Sequence, residues 1–260
     1  MTDGTITLTR HGAVVEITID RPEKRNGFTP AMLHALAVAY TEADADPDVR
    51  CAVLTAAGAH FTGGLDLPRM APVFAAGEPL TPHHLVDPLG LRPPWRRKPL
   101  VAAVQGTCLT IGIELMLAAD IVVAAEDCRF AQLEVKRGLM AAGGATIRFA
   151  DRAGWGAAMR WLLTGDEFDV ATALRLGFVQ EVVPVGQQRQ AALDLAVRIA
   201  AQAPLAVEAT IASMRTAALH GPASAAQAFH AVQQRLMATD DAAEGVASFQ
   251  ERRQANFSGR

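Results

Sequence analysis

Cysteine is scarce in this 260-residue sequence: Cys51, Cys108 and Cys128 are odd in number and far apart. No Cys-x-x-Cys pair or Cys/His cluster accompanies them, so neither a zinc site nor a disulfide framework is indicated and a reducing compartment is expected. A surplus of positive charge is also missing. The 24 Lys and Arg residues face 27 Asp and Glu, a net charge of -3, which provides no cationic field for a phosphate backbone and argues against nucleic acid as a partner. No uninterrupted apolar run reaches membrane-spanning length, and Met1-Thr2-Asp3-Gly4 lacks a basic segment leading into an apolar one. A cytoplasmic protein without a membrane partner is the expectation.

What is present is globular composition, half hydrophobic and one fifth charged, enough apolar material for one large core with or without an appendage. Residues 5 to 10 and 13 to 19 alternate apolar and polar side chains around His11-Gly12, the pattern of a hairpin with one buried face. Thr29 and Pro30 are suited to open a helix running to about Asp44. Val49 to Thr55 reads as a buried strand feeding the glycine loop Phe61-Thr62-Gly63-Gly64-Leu65-Asp66. The proline-rich stretch from 68 to 99 predicts short, interrupted structure and is treated as a variable loop. Leu100 to Gln105 is expected as a strand, Ile111 to Ala119 as a helix and Ile121 to Ala125 as another strand. From Gln187 onward four helical segments follow, near 187 to 202, 204 to 219, 223 to 237 and 240 to 255. An α/β core (1 to 200) followed by a helical region (201 to 260) is the resulting layout.

Glu114 lies among apolar neighbours in Leu109-Thr110-Ile111-Gly112-Ile113-Glu114-Leu115-Met116. Burial would raise its pKa toward the range useful for proton transfer, whereas the bland reading is a half-exposed helix residue or an ion pair. Glu134, in Phe130-Ala131-Gln132-Leu133-Glu134-Val135-Lys136-Arg137-Gly138, has an ion pair with Lys136 or Arg137 as its bland reading. Brought together, two carboxylates can divide acid and base duties. The loops at 62 to 66 and 105 to 112 each follow a strand, and their amides are suited either to a tight turn or to holding an oxyanion. Asp66 reads first as a cap that shapes its loop. Lys24 and Arg25 fit a phosphate contact or an ordinary solvated turn. His83 and His84 lack companions at metal-ligand spacing, so no metal site is expected. Trp155, Met159 and Trp161 read as core or pocket wall.

In order and spacing, Arg21-Pro22-Glu23-Lys24-Arg25-Asn26, Phe61 to Leu67, Pro99 to Asp120, Phe130 to Gly138 with Gly143-Gly144, and Leu163-Thr164-Gly165-Asp166 resemble the crotonase family, the enoyl-CoA hydratase and isomerase superfamily. The resemblance covers nearly the whole chain. It implies a spiral core of repeated strand and helix turns, followed by carboxy-terminal helices that build trimers, often paired into hexamers. It further implies an acyl-CoA thioester substrate, with coenzyme A as part of that substrate and no separate cofactor. The amides of Leu65 and Ile111 match the family's oxyanion donors. Glu114 and Glu134 match the two glutamates of its hydratases, one activating water for attack at C3 and the other delivering a proton to C2.

Lys24, Arg25, Gly63, Leu65, Asp66 and Arg252 fall where relatives contact CoA, and Phe249 and Trp155 where they line the acyl channel. Three departures stand out. Thr110-Ile111-Gly112 replaces a glycine-rich run, Pro68 replaces a position often basic, and Met140-Ala141-Ala142-Gly143-Gly144 lacks the usual proline and reads one residue short. An isomerase or other crotonase-type enzyme is the nearest rival reading. A non-catalytic acyl-CoA-binding scaffold is the rival from another class.

Overall fold

The computed structural model describes residues 3–260; Met1 and Thr2, read above for a leader, lie outside the described residues. Strands β1 (Thr5–His11) and β2 (Val14–Asp20) form the expected antiparallel hairpin, with Ile6 opposite Ile19. Helix α1 (Pro30–Ala45) starts as its sequence directs: Thr29 Oγ1 accepts the Met32 N–H at 3.2 Å, and Pro30 occupies the first turn, where no intrahelical donor is needed. Then come β3 (Cys51–Ala56), α2 (Leu67–Ala76), β4 (Leu100–Val104), β5 (Thr107–Leu109), α3 (Ile111–Ala118), β6 (Ile121–Ala125) and β7 (Arg129–Ala131). After a single 3-10 turn (Glu134–Arg137) the chain forms α4 (Ala145–Ala153), α5 (Trp155–Leu162), β8 (Phe168–Asp169), α6 (Val170–Arg175) and β9 (Glu181–Val183). Four helices end the chain: α7 (Gln188–Ala200), α8 (Pro204–His220), α9 (Pro222–Met237) and α10 (Asp240–Glu251).

Two sheets organise the core. The larger has the order β1-β2-β3-β4-β6-β9 and is parallel from β2 onward; the smaller is β5-β7-β8. Successive turns of chain visit both. One turn runs from β4 in the large sheet to β5 in the small one and into α3, and the next repeats the path through β6 and β7. The turn before them places Thr62 against Cys108 in a parallel bridge. Each turn is therefore stacked on the last in nearly the same register, which makes a spiral.

Side chains alternate across the large sheet as period-two strands require. Ala52, Leu54, Ala102, Val104, Val122 and Ala124 face the main core, while Cys51, Val53, Val101, Ala103 and Val123 face Ala192, Leu193 and Ala196 of α7. Helix α7 is pinned further by Glu16 of β2, a buried carboxylate that accepts from Nε and Nη2 of Arg189, each at 2.6 Å. Although desolvation works against its charge, the hydrogen bonds from Arg189, His11 and Thr55 prevail and its pKa is lowered.

The stretch from 68 to 99, expected as a variable loop with short, interrupted structure, instead opens with the ten-residue helix α2 (Leu67–Ala76). Pro68 falls in its first turn, where a missing N–H costs nothing, and Met70 is buried beneath it. Beyond Gly77 the segment up to Pro99 is irregular, as expected. The carboxy-terminal helices contrast with α7. Helix α8 buries no residue, α9 buries only Ala225, and Met214, Phe229 and Met237 are exposed. Among the described residues no single helix is long and apolar enough to cross a membrane.

Candidate active site

The stacked register brings the site together. Thr62 pairs with Cys108, and Leu109 of β5 pairs with Ala131 of β7. Three residues past each of Thr62, Cys108 and Ala131 stand Leu65, Ile111 and Glu134. Thr62 N–H donates to the Thr107 carbonyl and Leu109 N–H to that of Thr62, both at 3.1 Å, while Thr110 N–H donates to the Ala131 carbonyl at 3.0 Å. The three turns thus leave the small sheet side by side, and residues distant in sequence share one edge.

The Leu65 loop is held from behind. Phe28 N–H donates to the Gly64 carbonyl and Asp66 N–H to the Phe28 carbonyl, both at 2.9 Å. An extended strand turns alternate amides to opposite sides, so the Leu65 N–H faces away from Phe28. Gly63 N–H donates to the Arg25 carbonyl at 2.7 Å, and Thr62 Oγ1 to that of Asn26 at 2.7 Å. Asn26 in turn accepts the Arg21 N–H and donates to the carbonyls of Ala57 and His60 at 2.8 Å. Neither Leu65 N–H nor Ile111 N–H has an acceptor among the described residues. Ile111 opens α3, whose dipole adds positive potential at that amide.

Thr110, just before it, adopts φ 51° and ψ -118°. That region suits glycine, and a β-branched residue there is strained. The departure from a glycine-rich run therefore acts on the backbone. Its side chain fills the space a Cβ on Gly64 would need, so Gly64 is fixed as glycine by its neighbour and by its own φ of 108°.

Glu114, 4% exposed, follows one turn into α3. Its Oε1 accepts the Gly143 N–H at 2.6 Å and the Ala145 N–H at 3.3 Å, both at the start of α4. Burial pushes its pKa upward, and these two amides together with the nearby Arg148 guanidinium pull against that shift. Glu134 differs. Its Oε2 is buried without a hydrogen-bond partner, and burial with the charge of Glu114 pushes its pKa up to about 7, against one restraining backbone hydrogen bond. Among the described residues Glu134 forms no ion pair with Lys136 or Arg137, and Lys136 turns to Asp166.

Lys24 and Arg25 are exposed on the turn that holds the Gly63 loop, and among the described residues neither forms an ion pair. Asp66 does not cap: it precedes α2 without a side-chain capping bond, and its carboxylate accepts from the buried Arg21 guanidinium at 2.9 Å. Sequence reading missed this Arg21–Asp66 pair and the Asn26 and Thr62 supports, although they lie inside segments recognised as landmarks. The remaining candidates are exposed on the surface of the single chain. Trp155 is 74% exposed at the start of α5 and Phe249 85% exposed on α10, while Arg252 lies just past α10 with a left-handed φ of 56°. Among the described residues no group of three or more His, Cys, Asp or Glu is placed to hold a metal ion.

A spiral of stacked turns that carries Leu65, Ile111 and Glu134 at one edge is the crotonase type of fold. Residues 9–260 match the family model described as enoyl-CoA hydratase/isomerase, and the chain belongs to that family. It is 34% identical to "Enoyl-CoA hydratase EchA19" of Mycobacterium tuberculosis, over 96% of this chain and 95% of that one. It is 33% identical to the "2,3-dehydroadipyl-CoA hydratase" of Escherichia coli, over 97% and 98%. A crystal structure described as "a probable enoyl-CoA hydratase/isomerase" from Mycobacterium abscessus superposes with a TM-score of 0.95 at 47% identity, covering 98% of each chain. The family acts on acyl-CoA thioesters, and its members need no cofactor beyond that substrate.

Proposed function

We propose that the protein adds water to the double bond of a 2-enoyl-CoA, giving the 3-hydroxyacyl-CoA. The observation that carries this reading is the unequal treatment of two neighbouring glutamates. Glu114 is supplied with amide donors that favour its charged form, and Glu134, with a pKa near 7 and a free buried oxygen, is suited to hold a proton.

In the proposed reaction the thioester oxygen accepts the Leu65 and Ile111 N–H groups. Glu114 takes a proton from water as the oxygen bonds to C3, and the alkene electrons move through C2 onto the thioester oxygen. Each amide contributes roughly 3 kcal/mol to stabilising that charge. Carbon C2 then takes the proton of Glu134. Glu114 ends protonated and Glu134 ionised, and exchange with solvent restores both.

Lys24 and Arg25, beside the Gly63 loop, are proposed to meet the CoA phosphates, with Gly63, Leu65 and Asp66 in contact along the same loop. The region from 201 to 260 is proposed to assemble trimers or hexamers, supported by the apolar side chains that α8 and α9 leave exposed. Phe249, Trp155 and Arg252 would then complete an acyl channel and CoA site across subunits.

A panel of 2-enoyl-CoAs of graded length tests the reaction. Loss of the conjugated thioester absorbance with incorporation of solvent oxygen supports hydration. Double-bond migration without solvent oxygen indicates an isomerase, and binding without turnover indicates a scaffold. Sedimentation at micromolar concentration tests assembly.

A further inference from the structure

Arg148 of α4 is a half-buried cation beside Glu114, with no assigned part in the chemistry. Its guanidinium reaches two places. One nitrogen, Nη2, donates to the carbonyls of Leu89 at 2.6 Å and Gly90 at 3.1 Å, and Nη1 donates to the Gly143 carbonyl at 3.4 Å. Gly143 is the residue whose N–H holds Glu114 Oε1. At the far end Asp87 accepts the N–H groups of Leu89 at 3.1 Å and Leu91 at 2.9 Å, which tightens the turn that Arg148 grips. A continuous chain of hydrogen bonds therefore joins the irregular segment before β4 to the Glu114 carboxylate.

We infer that Arg148 is a positioning residue for Glu114, its planar fork fastening the Gly143 loop to the Leu89–Gly90 turn so that the carboxylate keeps its place when substrate enters. The inference rests on the hydration reading, in which Glu114 activates water. A guanidinium can grip carbonyls on two segments at once, and a lysine ammonium offers the same charge without that planar fork. Charge matters as well as shape. Glu114 is faced by Arg148 from α4 and by Glu134 from the turn after β7, while Arg148 is faced by Glu114, by Asp87 and, on its own helix, by Asp151 and Arg152.

The test compares Arg148→Gln, Arg148→Lys and Asp87→Asn with the parent protein, each checked for folding by circular dichroism. Arg148→Gln is expected to lower kcat about 100-fold with little change in KM, as misplacement of a catalytic group does. Its acid limb in kcat/KM moves to higher pH, because the base must be ionised and has lost its cation. Arg148→Lys keeps that limb near its original pH and loses kcat about tenfold, through geometry alone. Asp87→Asn loosens the same turn from its other end and lowers kcat with KM preserved.

If Arg148→Gln does not fold, the lysine and Asp87 variants decide. Folded variants with parental kcat and an unmoved acid limb overturn the inference, and so do losses that only follow the unfolded fraction. Should the parent protein hydrate no enoyl-CoA, the functional reading falls. Titration of 13C-labelled Glu114 by NMR in the parent and Arg148→Gln then still reads the positioning role, and an unchanged titration midpoint overturns it.

Discussion

The turn that carries Glu114 and the turn that carries Glu134 leave neighbouring strands of one small sheet, yet they give the same buried side chain different partners. The first sits inside a helix and is met by two amides and a cation. The second sits on a single 3-10 turn with one oxygen buried and unmatched. Their backbones differ too: Thr110 is forced to positive φ, whereas Leu133, before Glu134, has an ordinary φ of -92°. Identical carboxyl groups acquire different chemistry from what surrounds them, and here strain and hydrogen-bond donors are concentrated on the Glu114 side.

Removing either partner is the strongest way to break this contrast. Glu114→Gln and Glu134→Gln are each expected to lower kcat by about 10³-fold while leaving folding intact, within the span that positioned acids and bases supply. Hydration kinetics with circular dichroism check both, and near-parental turnover in either variant removes that residue from its role. A subtler change acts on one side only. A methyl group on Gly143 would overlap Glu114 Oε2, so Gly143→Ala is expected to displace the carboxylate and cost about 100-fold in kcat with KM little changed.

The pH profile sharpens the contrast without mutation. In the proposed reaction Glu114 must be ionised, and burial raises its pKa, so activity climbs with pH through an acid limb that burial displaces upward. Glu134 must be protonated and has a pKa of about 7, so kcat/KM falls as pH rises past that value. A bell whose alkaline limb vanishes in Glu134→Gln is the expected result. Smallest of all is the effect of strain: Thr110→Gly relieves a positive φ at a β-branched residue and is expected to stabilise the fold by about 1 kcal/mol, read as a rise in Tm.

Much of the fold could be read from local pattern. The β1–β2 hairpin, α1 with its Thr29 cap, strands β3, β4 and β6, helix α3 and the four carboxy-terminal helices all follow apolar periodicity and capping chemistry close to the expected bounds. Helix α2 was hidden by its prolines, one of which costs nothing where it stands. Strands β8 and β9, two and three residues long, are too short to have a period of their own.

For the site, the glutamates and the glycine loop were visible as unusual residues in unusual company. Which of them meet, and what holds them, was not. Asp66 looked like a cap and pairs instead with a buried Arg21; Glu134, whose bland reading is an ion pair, keeps an unpartnered oxygen. Arg148 gave no sign at all, because its partners are main-chain carbonyls of segments 5 and 58 to 59 residues away.

Local order along the chain, then, fixes where strands, helices and caps fall, since hydrophobic period and backbone preference act over a few residues. The stacking of successive turns decides the rest. Only that stacking sets Leu65, Ile111 and Glu134 at one edge and surrounds each carboxylate with its own donors and charges. Proton affinity depends on desolvation and field, and these come from neighbours that the linear order does not reveal.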